Sequence, residues 1–172
     1  MSRTQNLLKG FLSSLQAQIV SMGLFTSECC QLCLFEDGQL DEQYPQGSPI
    51  LEIVPQEFTS LGWDAGGGIY DTSVRGEILF RILVMNVLDT IQTDVTVITS
   101  TDQTLGIYEL VDQLVAEIQM LDLCDTNGNT YLIEPMRIRN IGKPQRNEKH
   151  PEWVIVNVRF EASVCQNITE VI

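Results

Sequence analysis

An α+β fold, a mainly antiparallel sheet with helices packed on it, is what this chain of 172 residues predicts, and three observations lead there. Thr104 to Leu121 carries apolar residues at Ile107, Leu110, Val111, Leu114, Val115, Ile118 and Leu121, a recurrence that lays one stripe along a helix of 3.6 residues per turn. Val154, Val156, Val158, Phe160, Ala162 and Val164 alternate without a break against Trp153, Ile155, Asn157, Arg159 and Glu161, the period of a strand with one face on a core and the other partly wet. Val74 to Val87 is apolar on both faces, with Arg81 the exception, as expected of a central strand. A helix with so long a stripe needs a sheet to bury it.

The remaining elements follow in order. From Thr4 to Met22, the residues Leu7, Leu8, Phe11, Leu12, Leu15, Ile19 and Met22 repeat at helical spacing. The pattern breaks up between Gly23 and Ser48, where Glu36 to Pro45 reads as an exposed loop. Ser48 to Pro55 is a short strand held between prolines, and Leu61 to Gly68 is a loop with three consecutive glycines. Val95 to Thr99 suits either a strand or an extended arm before the long helix. For that helix, Ser100 or Thr101 is the expected cap, Asp102 suits the positive end of its dipole, and the cluster Asp125 to Asn129 follows its end. Thr130 to Arg139 and Glu152 to Val164 read as antiparallel partners joined by a polar loop, Asn140 to Pro151.

Length and a 44% hydrophobic content suit one domain spanning residues 1–172 with a well-buried core. The longest apolar run, Ile78 to Leu88, is interrupted by Arg81 and Asn86 and is shorter than the roughly 20 residues of a membrane helix. The first residues lack the apolar core and cleavage site of a secretion signal, so the chain is expected to work inside a cell. A formal charge of −13, from 23 acids and 10 bases, disfavours general nucleic-acid binding, which needs clustered Lys and Arg.

Cys30-Gln-Leu-Cys33, beside Cys29, has the spacing of zinc sites and redox pairs, but a fourth ligand must come from Cys124, Cys165 or His150, and no strand-to-helix context surrounds it. Reduced cysteines acting as small apolar residues are the simpler reading. Asp125 to Asn129 resembles the start of a calcium loop, yet Thr130 stands where glycine is needed and Met136 where the bidentate glutamate is needed, which leaves a turn. Gly66 to Gly68 lacks the Lys-Ser/Thr of a phosphate loop, and His150, the one histidine, lies in a polar loop. Asn167-Ile-Thr169 matches a glycosylation site in form only. No catalytic residue, cofactor or metal site is assigned, and no enzyme is expected.

Charge is unevenly spread. Arg137, Arg139, Lys143, Arg146 and Lys149 supply half of the bases within one window whose only acid is Glu148, while the first 74 residues contain only Arg3 and Lys9. On an extended strand Arg137 and Arg139 share one face, and Leu132, Met136 and Ile138 the other. This basic window is expected to be an assembly contact, and its acidic counterpart is placed on the polar face of the long helix, at Glu109, Asp112 and Glu117.

The order of elements is informative in itself: a leading amphipathic helix, Pro49 to Val54, the strand Arg75 to Met85, the helix Ile107 to Leu121, and Trp153 to Phe160. It resembles the tail terminator (tail completion) proteins of long-tailed bacteriophages. There a strand leads through a variable segment to a Leu-Val-x-x-Leu-Val-x-x-Ile type of helix and then to a hairpin whose last strand alternates through a near-terminal Phe. The resemblance covers Arg75 to Val164 well and the first half loosely; the Gly23 to Ser48 insertion and its cysteines depart from it. It implies a hexameric ring that caps the tail tube, stops its polymerisation and meets the head–tail connector. It further implies the tube, the connector and, where one exists, a tail sheath as partners, a place in the virion tail or neck, and a lumen through which DNA passes without specific binding. A ring needs heterologous contacts, and a net acidic lumen repels phosphates. Another neck, tube or baseplate component is an alternative within the virion; a small cysteine-dependent zinc-binding or redox module is one of another class.

Overall fold

A computed structural model describes residues 3–33, 49–60, 70–85, 106–146, 148 and 153–167. The chain runs through α1 (Arg3–Ser21), β1 (Cys30–Leu32), β2 (Ile50–Ser60), β3 (Tyr70–Met85), α2 (Ile107–Met120), β4 (Arg137–Ile141), β5 (Gln145–Arg146) and β6 (Trp153–Asn167). The six strands form one sheet in the order β1-β2-β3-β6-β4, with β5 also on β6. β1 runs parallel to β2, and every other pairing is antiparallel. The fold is therefore α+β, with a mixed, mostly antiparallel sheet and both helices on one face.

β3 and β6 form the middle of the sheet because each is apolar on the helix-facing side along nearly its whole length. Val74, Ile78, Phe80 and Ile82 of β3 and Val154 to Val164 at alternate positions of β6 enter one core with Leu7, Phe11, Leu15 and Ile19 of α1 and Ile107, Leu110, Val111, Leu114 and Ile118 of α2. The Phe80 and Phe160 rings meet edge to face, with centroids 5.5 Å apart, a preferred aromatic geometry. Fully burying each such side chain stabilises by about 1.5–3 kcal/mol. Both helical stripes and the alternation in β6 thus do what their periodicity predicts.

Element boundaries differ from the sequence reading where a local motif competes with periodicity. Gly106 caps α2 and makes no side-chain cap hydrogen bond; the expected cap, Ser100 or Thr101, and Asp102, expected at the positive end of the dipole, lie outside the described residues, as do Val95 to Thr99, Leu61 to Gly68 and Glu36 to Pro45. β2 does not stop at Pro55 but continues to Ser60, because a register shift between Pro55 and Phe58 accommodates the missing N–H. The stretch from Thr130 is only bridged, Thr130 to Cys124 and Leu132 to Val164, and regular pairing starts at Arg137. The polar loop after Asn140 contains β5, which pairs with Ile155 and Val154. β1 lies in a segment where no strand was expected; three residues are too few for a period to register.

The turn after α2 is built by Asp125. Its Oδ1 accepts from the Asn127 and Asn129 amides at 2.8 and 2.9 Å, and its Oδ2 from Asn129 Nδ2 at 3.1 Å. These bonds, that from the Asn129 side chain foremost, hold the carboxyl below its ordinary pKa. Gly128 takes the left-handed conformation that closes the loop, φ +82°. The carboxylate oxygens face the loop's own amides, the arrangement of a turn.

Candidate functional site

The sheet face turned away from the helices changes character along β3 and β6. At one end Cys29, Ile50, Leu83, Trp153 and Ile155 form a second buried apolar cluster, so the partly wet face expected of this strand is dry at this end. One row further, Glu52, Arg81 and Asn157 stand side by side in register. Arg81 Nη1 donates to Glu52 Oε2 at 2.8 Å, and Glu52 is completely buried. Burial pushes the Glu52 carboxyl up, and the guanidinium beside it pulls it part of the way back. Glu52 Oε1 and Asn157 Oδ1, both buried, accept no hydrogen bond among the described residues. Sequence reading flagged Arg81 as an exception but missed Glu52; a lone acid inside Ile-Leu-Glu-Ile-Val is the signal, and only the register names its partner.

The far end of the same face is a ladder of ions. Arg75 Nε donates to Ser163 Oγ at 3.0 Å, and Arg75 Nη2 lies 3.7 Å from Glu134. Arg137 pairs with Glu134 and Arg139 with Glu161. The hydrogen bond from Arg139, first among its causes, holds the Glu161 carboxyl below the usual range, and the same contact raises Arg139.

The sequence-predicted basic window is thereby divided. Glu148 is its only acid in sequence, but folding brings Glu134 and Glu161 to Arg137 and Arg139, which are neutralised within the chain. Ile138 and Met136 point to the core, as the alternation requires. Lys143 and Arg146 are exposed on the bend between and along β4 and β5; Lys149 lies outside the described residues, as does His150. Glu109, Asp112 and Glu117 are exposed along α2, with Gln113 Nε2 donating to Glu109 Oε1 at 3.3 Å. α2 has no base in its last turn. An acid-only helix face and a basic bend therefore sit on separate elements.

The cysteines are dispersed. Cys30 sits in the helix-side core, Cys29 in the second cluster, and Cys165 is buried on β6. Burial, reinforced by Cys29, pushes the Cys30 thiol up to about 12, and burial pushes Cys165 up to about 11. Burial, with Glu52 adding to it and Arg81 opposing, raises Cys33 to about 11. Among the described residues no three His, Cys, Asp or Glu side chains converge as a metal set. Because thiolate and access control alkylation, iodoacetamide on the native protein is expected to modify exposed Cys124 first, and Cys30 and Cys165 only on unfolding. Peptide mass spectrometry checks this; native Cys30 reacting ahead of Cys124 would refute it.

No helix among the described residues is long and apolar enough to cross a membrane. No family model matches the chain, and no curated protein matches it. A solved structure whose name states no activity is similar over 98% of this chain and 100% of its own, at 14% identity and a TM-score of 0.51. That likeness is one of fold.

Proposed function

We propose that this protein is a structural subunit of a long-tailed bacteriophage, acting as a single domain in a six-membered ring that caps the tail tube, ends its polymerisation and meets the head–tail connector. The observation that carries this reading is the pair of oppositely charged exposed surfaces on different elements: Glu109, Asp112 and Glu117 along α2, and Lys143 and Arg146 on the β4–β5 bend. Two unlike, complementary patches on one chain are what a head-to-tail contact uses, and such a contact closes into a ring when its rotation permits. The element order that resembles tail terminators agrees with it. The net charge of −13 suits a lumen that lets DNA pass without holding it. The tube, the connector and, in a contractile tail, the sheath are the partners of this reading, and it assigns the chain no chemical reaction.

Light scattering of the purified protein, alone and with its tube protein, is expected to give a six-subunit mass, and negative-stain images a ring at tube ends. Replacing Lys143, Arg146 and Lys149 together by Glu is expected to weaken capping, as is rising salt on the wild type. A strict monomer that never joins tubes removes the reading.

A further inference from the structure

Beside the C-terminal end of α2 lies an open groove of about 440 Å³. Its apolar lining includes Met120, Leu121, Leu132, Ile133 and Pro135, with Asp122 at its rim. Met120 is 84% exposed and Ile133 37%, unusual for large apolar side chains on one feature. The helix end above it carries partial negative charge from its last carbonyls, and with no base in that turn nothing on α2 offsets it. Glu134, also lining the groove, is already engaged by Arg137, whereas Asp122 accepts from the Thr130 hydroxyl at 3.2 Å and has no cation beside it among the described residues.

The bend from Ile141 to Arg146 has the inverse character. Ile141 is 45% exposed, Lys143 stands beside it without an acid partner among the described residues, and Gly142 is fixed to β6 through its amide, 2.7 Å from Asn157 O. One surface is an apolar hollow with an acidic rim, the other an apolar knob with a basic flank. They cannot meet within one chain. The knob is anchored at Asn157 and the groove at Ser163, through the Ile133 amide, and six residues of extended β6 separate these points by about 20 Å.

We propose that the groove at the end of α2 receives the Ile141–Arg146 bend of a second copy of this chain, with Ile141 against Met120 and Ile133, and Lys143 at Asp122 and the helix terminus. The assignment rests on the assembly proposed above and names the surfaces that carry it. It extends the acidic half of the contact from the exposed face that holds Glu109, Asp112 and Glu117 to Asp122 at the end of α2.

Charge exchange on the full chain tests it. Asp122→Lys and Lys143→Glu are each expected to weaken association by about tenfold or more per contact, since like charges then oppose each other. Mixing the two variants is expected to restore it, because each groove then finds a bend of opposite charge in alternating order. Circular dichroism matching the wild type establishes that the single variants fold. Independently, Met120→benzoylphenylalanine is expected to photo-cross-link to a peptide containing residues 141–146 of another copy. A mixture that stays dissociated, or a cross-link that goes elsewhere in the chain or only to the tube protein, overturns the contact. Rings that form with such a misplaced cross-link remove this contact and leave the ring standing. A correctly cross-linked two-fold dimer supports the contact and removes the ring, whereas no association at any concentration, with or without tube protein, removes both.

Discussion

Arg81→Met is expected to destabilise the protein by about 3–5 kcal/mol, because it leaves the Glu52 carboxylate buried without its cation. Glu52 is completely buried, and Arg81 is nearly so; their contact at 2.8 Å is the one hydrogen bond that Glu52 Oε2 receives from β3. Against a total stability of about 5–15 kcal/mol for a domain, that loss is large enough to reduce the folded yield. The pair as such is not expected to be strongly stabilising, since desolvation offsets most of its attraction. Combining Arg81→Met with Glu52→Leu is therefore expected to recover most of the loss. Urea denaturation of the three variants decides it, and a double variant as unstable as Arg81→Met would contradict the explanation. The pH dependence has a definite sign. Burial raises the Glu52 carboxyl in the native protein, and removing Arg81 removes the influence that lowers it. A carboxyl whose folded pKa lies above its unfolded value contributes stability that is present below the unfolded pKa and lost as pH rises through the folded one. Arg81→Met should thus lose more stability at about pH 8 than at about pH 5, with the wild type changing less.

Gly76→Ala is expected to cost about 1–3 kcal/mol, the usual range for overpacking. Gly76 lies on β3 opposite Phe58, and a methyl group there would stand 2.5 Å from both Glu57 O and Phe58 Cγ. The demand is for space and not for a special backbone angle, because positive φ among the described residues occurs only at Gly23 and Gly128. The register shift between Pro55 and Phe58 brings the β2 backbone and the Phe58 ring down onto Gly76, as glycine in a strand often permits. Phe58→Ala in the same chain is expected to return only part of the loss, since the ring leaves but the Glu57 carbonyl remains. Thermal melts of the four chains measure the coupling. Full recovery in the double variant would show that the ring alone fills the space.

The periodic segments were determined by the sequence itself. α1, α2, β3 and β6 each carry enough consecutive turns or alternations for one face to be read as apolar, and burying that face dominates their energy, so α+β with a central β3 follows without coordinates. Where a competing local device outweighed periodicity, sequence reading misplaced the edges: the bulge that carries β2 through Pro55, and the isolated bridges that delay β4 to Arg137. The charged residues show the division most clearly. Arg137, Arg139, Lys143 and Arg146 form one basic run along the chain, but an ion's partner is set by strand register across long sequence separations. Glu134, 3 residues before Arg137, is already its neighbour along the chain, whereas only the tertiary structure placed Glu161 beside Arg139, 22 residues away. It likewise joined Glu52 to Arg81 and left Lys143 exposed on its bend. Side-chain period reports which face a residue occupies; the neighbour it meets there depends on how the strands are aligned, which no single segment encodes.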